Sequence, residues 1–119
     1  IVREATEQCG RTRPPLLADA IEAHKVSLPA GVHGFLAWEA AESDAPSLGA
    51  AVAAVADSIG AGQPLALLVG PEGGLTAEEV QRFSADGWQV VSLGKRILRA
   101  ETAAIAAVAV IMERCGELA

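Results

Sequence analysis

Two rhythms of apolar and polar positions alternate along the chain. Short apolar runs at His33–Trp38, Pro64–Val69 and Trp88–Leu93 have the length and branching of strands, and the middle run is apolar enough for a strand buried on both faces. Between and after them the spacing changes to that of helices. Leu48, Val52, Val55, Ala56 and Ile59 recur at three and four residues, and Gly60-Ala61-Gly62 closes that element. Thr76 and Glu79 form a T-x-x-E capping box, which predicts a helix from Ala77 to about Ala85 with Gly87 as its stop. A last helix is expected from about Glu101 to Cys115. Near the start, Ile1, Ala5 and Cys9 share one face of a helix already under way at Ile1; Gly10 and Pro14-Pro15 end it, and Pro15–Ala23 reads as a second, short helix. Ser27–Gly31 is a turn and Glu39–Gly49 a polar loop.

The order strand, helix, strand, loop, helix, strand, loop, helix predicts an α/β fold with a parallel sheet and helices on both faces. Two strand-to-helix loops then stand out: the glycine-rich Gly70–Gly74 and the irregular Gly94–Ala100. In successive β-α units they are expected side by side at one edge of the sheet, where parallel sheets bind ligands. The last helix is unlike the others, because Ala103–Met112 leaves it without a polar face. Such a helix needs cover on all sides. Either it packs against a second subunit through its small side chains, or it runs through the core of the monomer.

Charge and length narrow the class. The 119 residues hold a single domain at most. The longest apolar stretch is about half of the roughly 18 residues a membrane span needs. Cys9 and Cys115 have neither metal-type spacing nor the density of a disulfide scaffold, so a reduced, cytoplasmic setting is expected. Net charge is −6, which argues against a general polyanion binder. Yet six of the nine bases fall in two clusters, Arg3, Arg11 and Arg13, and Lys95, Arg96 and Arg99. Either cluster beside the glycine loop makes a local phosphate-attracting patch; otherwise they are solvated bases.

The familiar catalytic patterns fit poorly. GPEGG lacks the spacing of a dinucleotide-binding turn, and Leu93-Gly94-Lys95-Arg96 lacks the glycine and hydroxyl of a P-loop. His24 and His33 stand apart from each other and from the cysteines, so no metal centre is expected. What remains is a pair of loops rich in backbone donors, carrying Glu72, Arg99 and Glu101 within otherwise apolar sequence.

GPEGGLTAEE followed by SLGKRILRAETA closely resembles the bacterial 16S ribosomal RNA uridine-N3 methyltransferases of the SPOUT class, and the early EATEQCGR resembles that family's A-x-EQ-x-x-R segment. The resemblance spans nearly the whole chain. It implies an S-adenosyl-L-methionine-dependent enzyme with a deep C-terminal trefoil knot and an active site formed at a homodimer interface. It also implies an RNA-binding domain and first catalytic-domain strands ahead of the segment in hand, so that the chain is expected to supply part of a methyltransferase domain, with most of the grip on 16S ribosomal RNA lying elsewhere.

Carried over residue by residue, the resemblance implies a cofactor pocket of three loops: Trp38 and Glu39 after the first strand, Gly70, Glu72 and Gly73 in the glycine loop, and Leu93, Gly94, Ile97 and Leu98 in the last. Backbone groups there can read an adenine edge without side chains. Glu72 is expected to meet the polar end of the cofactor, or else to cap the loop amides. Arg99 and Glu101 resemble the family's R-x-ET, with Arg99 facing substrate while Glu101 and Thr102 fix the loop; an Arg99–Glu101 structural pair is the alternative. No residue declares itself as a general base. Two rival readings remain, a dimerisation module without catalysis and another small nucleotide-binding α/β enzyme.

Overall fold

A computed structural model describes residues 15–41, 44–95 and 98–117. The helix expected over Ile1–Gly10, the first basic cluster, Arg96 and Ile97 lie outside the described residues. Three strands, β1 (His33–Ala37), β2 (Leu65–Val69) and β3 (Gln89–Val91), form a parallel sheet in the order β2-β1-β3. Three helices accompany them: α1 (Leu48–Gly60), α2 (Ala77–Ala85) and α3 (Ala100–Arg114).

Helices cover both faces, as the element order requires. Phe35, Ala37, Leu65, Leu67, Val69 and Val91 pack on one side with Leu48 and Val52 of α1 and Ala107 of α3. On the other side Leu36, Ala66, Leu68 and Val90 meet Val80 and Phe83 of α2, with Trp88 and Leu28. The side-chain alternation of β1 thus divides its residues between two apolar clusters. That double burial makes β1 the central strand, and it separates β2 from β3. The two loops expected side by side are therefore not neighbours; the loop after β1 stands between them.

The predicted elements differ from the observed ones where tertiary contacts decide. Pro15–Glu22 has no regular structure, and a 3-10 turn at Ala23–Lys25 replaces the short helix expected over Pro15–Ala23. Leu16, Leu17 and Ile21 are all exposed there. An isolated helix of that length is marginal in water, and nothing among the described residues covers its apolar side. The strand expected to reach Leu93 pairs with β1 only to Val91; Ser92 then turns to the α1 entrance, donating its N–H to Pro46 C=O and accepting from Leu48 N–H, each at 2.9 Å.

The last helix is not enclosed within the chain. Ala103 and Ala107 are buried, but Ile105 is 71% exposed, Val108 50% and Met112 37%. Those three residues lie at i, i+3 and i+7, on the stripe opposite the buried alanines.

Candidate functional site

All three strands run the same way, so the loops that follow them gather at one edge of the sheet. The first begins as β1 ends: Trp38 N–H donates to Val91 C=O at 3.2 Å, and Glu39 follows in the turn. The second, Gly70–Gly74, leaves the buried apolar β2. Backbone closes it, Gly74 N–H donating to Pro71 C=O at 2.8 Å. Gly74 has φ +76°, which favours glycine, and a Cβ there would meet the movable Glu39 carboxylate, Oε1, at 3.2 Å. The capping box then fixes the exit: Thr76 Oγ1 accepts from Glu79 N–H at 3.1 Å, and Glu79 Oε1 accepts from Thr76 N–H at 3.0 Å.

In the third loop Gly94 N–H donates to Ser92 Oγ at 3.0 Å, and Gly94 itself has φ +111°. The chain re-enters regular structure at Arg99, the N-cap of α3, whose C=O accepts from Ala103 N–H at 2.7 Å. Serine, threonine, aspartate or asparagine usually fills an N-cap because its side chain can accept from the free amides. A guanidinium has only donors, and Arg99 makes no such bond. The exposed Arg99 thus stands at the positive end of the helix dipole without a capping role.

A cavity of about 460 Å³ opens between these loops. Of the residues expected from the sequence, Trp38, Glu39, Gly70, Glu72, Leu93, Gly94, Leu98 and Arg99 line it. Gly73 and Glu101 do not; Glu101 is exposed on the first turn of α3, between the lining residues Ala100 and Ala103. Arg99 and Glu101 form no ion pair among the described residues. Lys95 and Arg99 are both exposed in the third loop, and of the two only Arg99 lines the cavity.

The wall also contains Pro71 and Gly74 of the expected glycine loop, and Ala37, Val69, Leu75, Ala100 and Ala103, which the sequence did not single out. Most of these are small or apolar residues at strand ends and helix starts, and only the topology brings them together. Leu75 is the exception with a local signal, since it stands directly before the capping box.

Chemically, the cavity offers an apolar interior of Val69, Leu75, Leu93 and Leu98, two carboxylates on one set of loops and a guanidinium on another. Its size falls within the usual range of small-molecule sites, about 300 to 1,000 Å³. Among the described residues no group of three or more histidine, cysteine or acidic side chains is placed to hold a metal ion. No described helix is long and apolar enough to cross a membrane.

The ribosomal RNA small subunit methyltransferase E of Synechocystis sp. is 38% identical to this chain over 112 residues, 93% of the chain and 36% of that protein. Its namesake from Bacillus subtilis is 34% identical over 113 residues, 93% of the chain and 43% of that protein. The chain therefore spans less than half the length of these relatives. A crystal structure of the ribosomal RNA small subunit methyltransferase E from Neisseria gonorrhoeae, bound to S-adenosyl methionine, superposes with a TM-score of 0.80 at 32% identity, covering 99% of this chain and 46% of that one. Residues 1–112 match the RNA methyltransferase domain, and the chain belongs to that family.

Proposed function

We propose that the three-loop cavity binds S-adenosyl-L-methionine and that the chain forms the cofactor pocket and dimer interface of a 16S ribosomal RNA uridine-N3 methyltransferase. The convergence of all three loops on one cavity, with Glu39, Glu72 and Arg99 in its wall, carries this reading. The S-adenosyl methionine in the similar Neisseria gonorrhoeae protein supports the choice of cofactor.

The residues present suit that group. Val69, Leu75, Leu93 and Leu98 offer an apolar bed for a purine ring, and Glu39 and Glu72 offer acceptors for hydroxyl and ammonium groups. When bound, the cofactor supplies a methyl carbon made electrophilic by a cationic sulfur. Uridine N3 becomes a good nucleophile only after losing its imide proton, so the site must favour the anion and hold it in line. Arg99 is placed to do the first, as a cation that stays charged at any working pH. Glu101 acts as a positioning residue for the Arg99 turn, where its charge complements the α3 dipole. The base must also be presented unpaired, because N3 lies within the Watson–Crick face.

In the same reading, the RNA grip comes from polypeptide outside these 119 residues, in keeping with the greater length of the relatives. The trefoil-knotted threading and the homodimer belong to it as well. The unfilled stripe of α3 supports the second of these, since exposed apolar side chains aligned on one helix face are typical of association surfaces.

Calorimetric titration with S-adenosyl-L-methionine and S-adenosylhomocysteine tests the cofactor directly. Saturation at one ligand per subunit is expected; a folded protein that takes a nucleoside phosphate instead would overturn the reading. For the chemistry, Arg99→Ala in the full-length protein is expected to lower methylation by about 100-fold or more while sparing cofactor binding. Unchanged turnover would remove Arg99 from the mechanism.

A further inference from the structure

The geometry points to Trp38 as a positioning residue that staples the glycine loop in its working shape. An indole carries one polar atom, the Nε1 donor. In Trp38 that donor is already committed: it bonds to Leu75 C=O at 3.2 Å, across 37 residues of sequence. Trp38 is therefore not available to hydrogen-bond a ligand, although its ring lines the cavity.

The bond falls where it controls most of the loop. Leu75 is the last residue before the capping box, and its side chain presses on the first residue of the loop, because a Cβ on Gly70 would lie 2.9 Å from Leu75 Cγ. Fixing Leu75 thus fixes both ends of Gly70–Gly74. The Trp38 ring is itself held in the cluster of Leu36, Val80, Phe83 and Trp88, so the staple is anchored in the core and not in another loop. Next to it Glu39 reaches the Gly74 turn, close enough that a Cβ there would come within 3.2 Å of its carboxylate. The Trp38-Glu39 pair joins the loop after the central strand to the loop after the edge strand, which no backbone hydrogen bond among the described residues does. A loop ordered before the ligand arrives spares the cost of ordering it on binding.

This inference rests on the cofactor reading of the cavity, and its test separates the two. Trp38→Phe keeps an aromatic ring, smaller than the indole, and removes the donor; Val52→Ala loosens the cluster on the other face of the sheet, which includes neither Trp38 nor Leu75. In the ligand-free proteins, backbone order parameters of Gly73 and Gly74 are expected to fall from about 0.85 towards about 0.6 in Trp38→Phe alone. Affinity for S-adenosylhomocysteine should weaken roughly 2- to 10-fold in Trp38→Phe, the range one net hydrogen bond represents, and should stay unchanged in Val52→Ala. Unaltered order parameters in Trp38→Phe, or an equal fall in Val52→Ala, would overturn the staple. Lack of binding by the parent protein would count against the cofactor reading and leave the order parameters to decide the staple.

Discussion

Gly34, in the middle of β1, shows how tightly one position can be bound to the packing around it. Its backbone is ordinary for a strand, yet an added Cβ would lie 2.7 and 2.8 Å from the two Cδ atoms of Leu28 and 2.9 Å from Trp88 Cε3. The Cδ atoms are the free end of half-buried Leu28 and can turn aside, whereas the Trp88 ring has little freedom to retreat. Trp88 is buried edge-to-face against Phe83, with ring centroids 6.3 Å apart, and its Nε1 has no hydrogen-bond partner among the described residues. Packing alone holds the indole there, so displacing it loses contacts that nothing else replaces. Gly34→Ala is expected to cost about 1 to 3 kcal/mol through overpacking. Urea denaturation would read this as a lower midpoint at unchanged slope, and a variant as stable as its parent would refute the close approach.

At the scale of the element, α2 is the part most fully written in local sequence. Its capping box needs only Thr76 and Glu79, three residues apart, and Thr76→Ala is expected to destabilise the protein by roughly 0.5 to 2 kcal/mol. The box is also pH-dependent in a definite sense. Hydrogen bonding from the Thr76 backbone N–H, then contact with its side chain, and less strongly the charge of Arg82, hold the Glu79 carboxyl below its ordinary value. A lowered folded-state value means that the box contributes in full above the ordinary glutamate range and fades as pH falls through the lowered one. Protection of the α2 amides, measured relative to their intrinsic exchange at each pH, should therefore fall on acidification, and Glu79→Gln, which keeps an accepting oxygen, should flatten that dependence. Protection that rises instead would show the carboxylate to be the weaker partner. The same local logic failed at Pro15–Glu22, because Leu16, Leu17 and Ile21 have helical spacing but no described surface to cover them. It put the loops after β2 and β3 side by side, whereas β1, buried on two faces, separates those strands, and it was silent on the Trp38–Leu75 bond, which joins residues far apart in sequence. The cavity was legible as far as its polar and glycine positions. Ala37, Ala100 and Ala103 carry no chemical signal, and they enter the wall only because the strand ends and the α3 start meet there.

For the whole molecule, α3 is the element that links the cavity to the outside. Ala100 and Ala103 line the cavity, Ala103 and Ala107 are buried, and the opposite stripe of Ile105, Val108 and Met112 is open. A second copy seated on that stripe would therefore lie within a turn of residues that shape the cavity. Dimerisation and cofactor affinity should then be coupled, each strengthening the other by the same factor. Ile105→Lys combined with Met112→Lys separates this from a general loss of fold, since neither position belongs to the buried face of α3. Burying an unpaired ammonium costs several kcal/mol, so the pair is expected to weaken association by about 100-fold or more. Sedimentation should show the parent at twice the chain mass and the variant at the mass of one chain, with unchanged circular dichroism. Titration of the variant with S-adenosylhomocysteine then decides the coupling. Weakened binding by a folded monomer would mean that the second subunit helps to hold α3 in its cavity-lining position; full affinity would make each chain's pocket self-sufficient and confine the role of the interface to assembly.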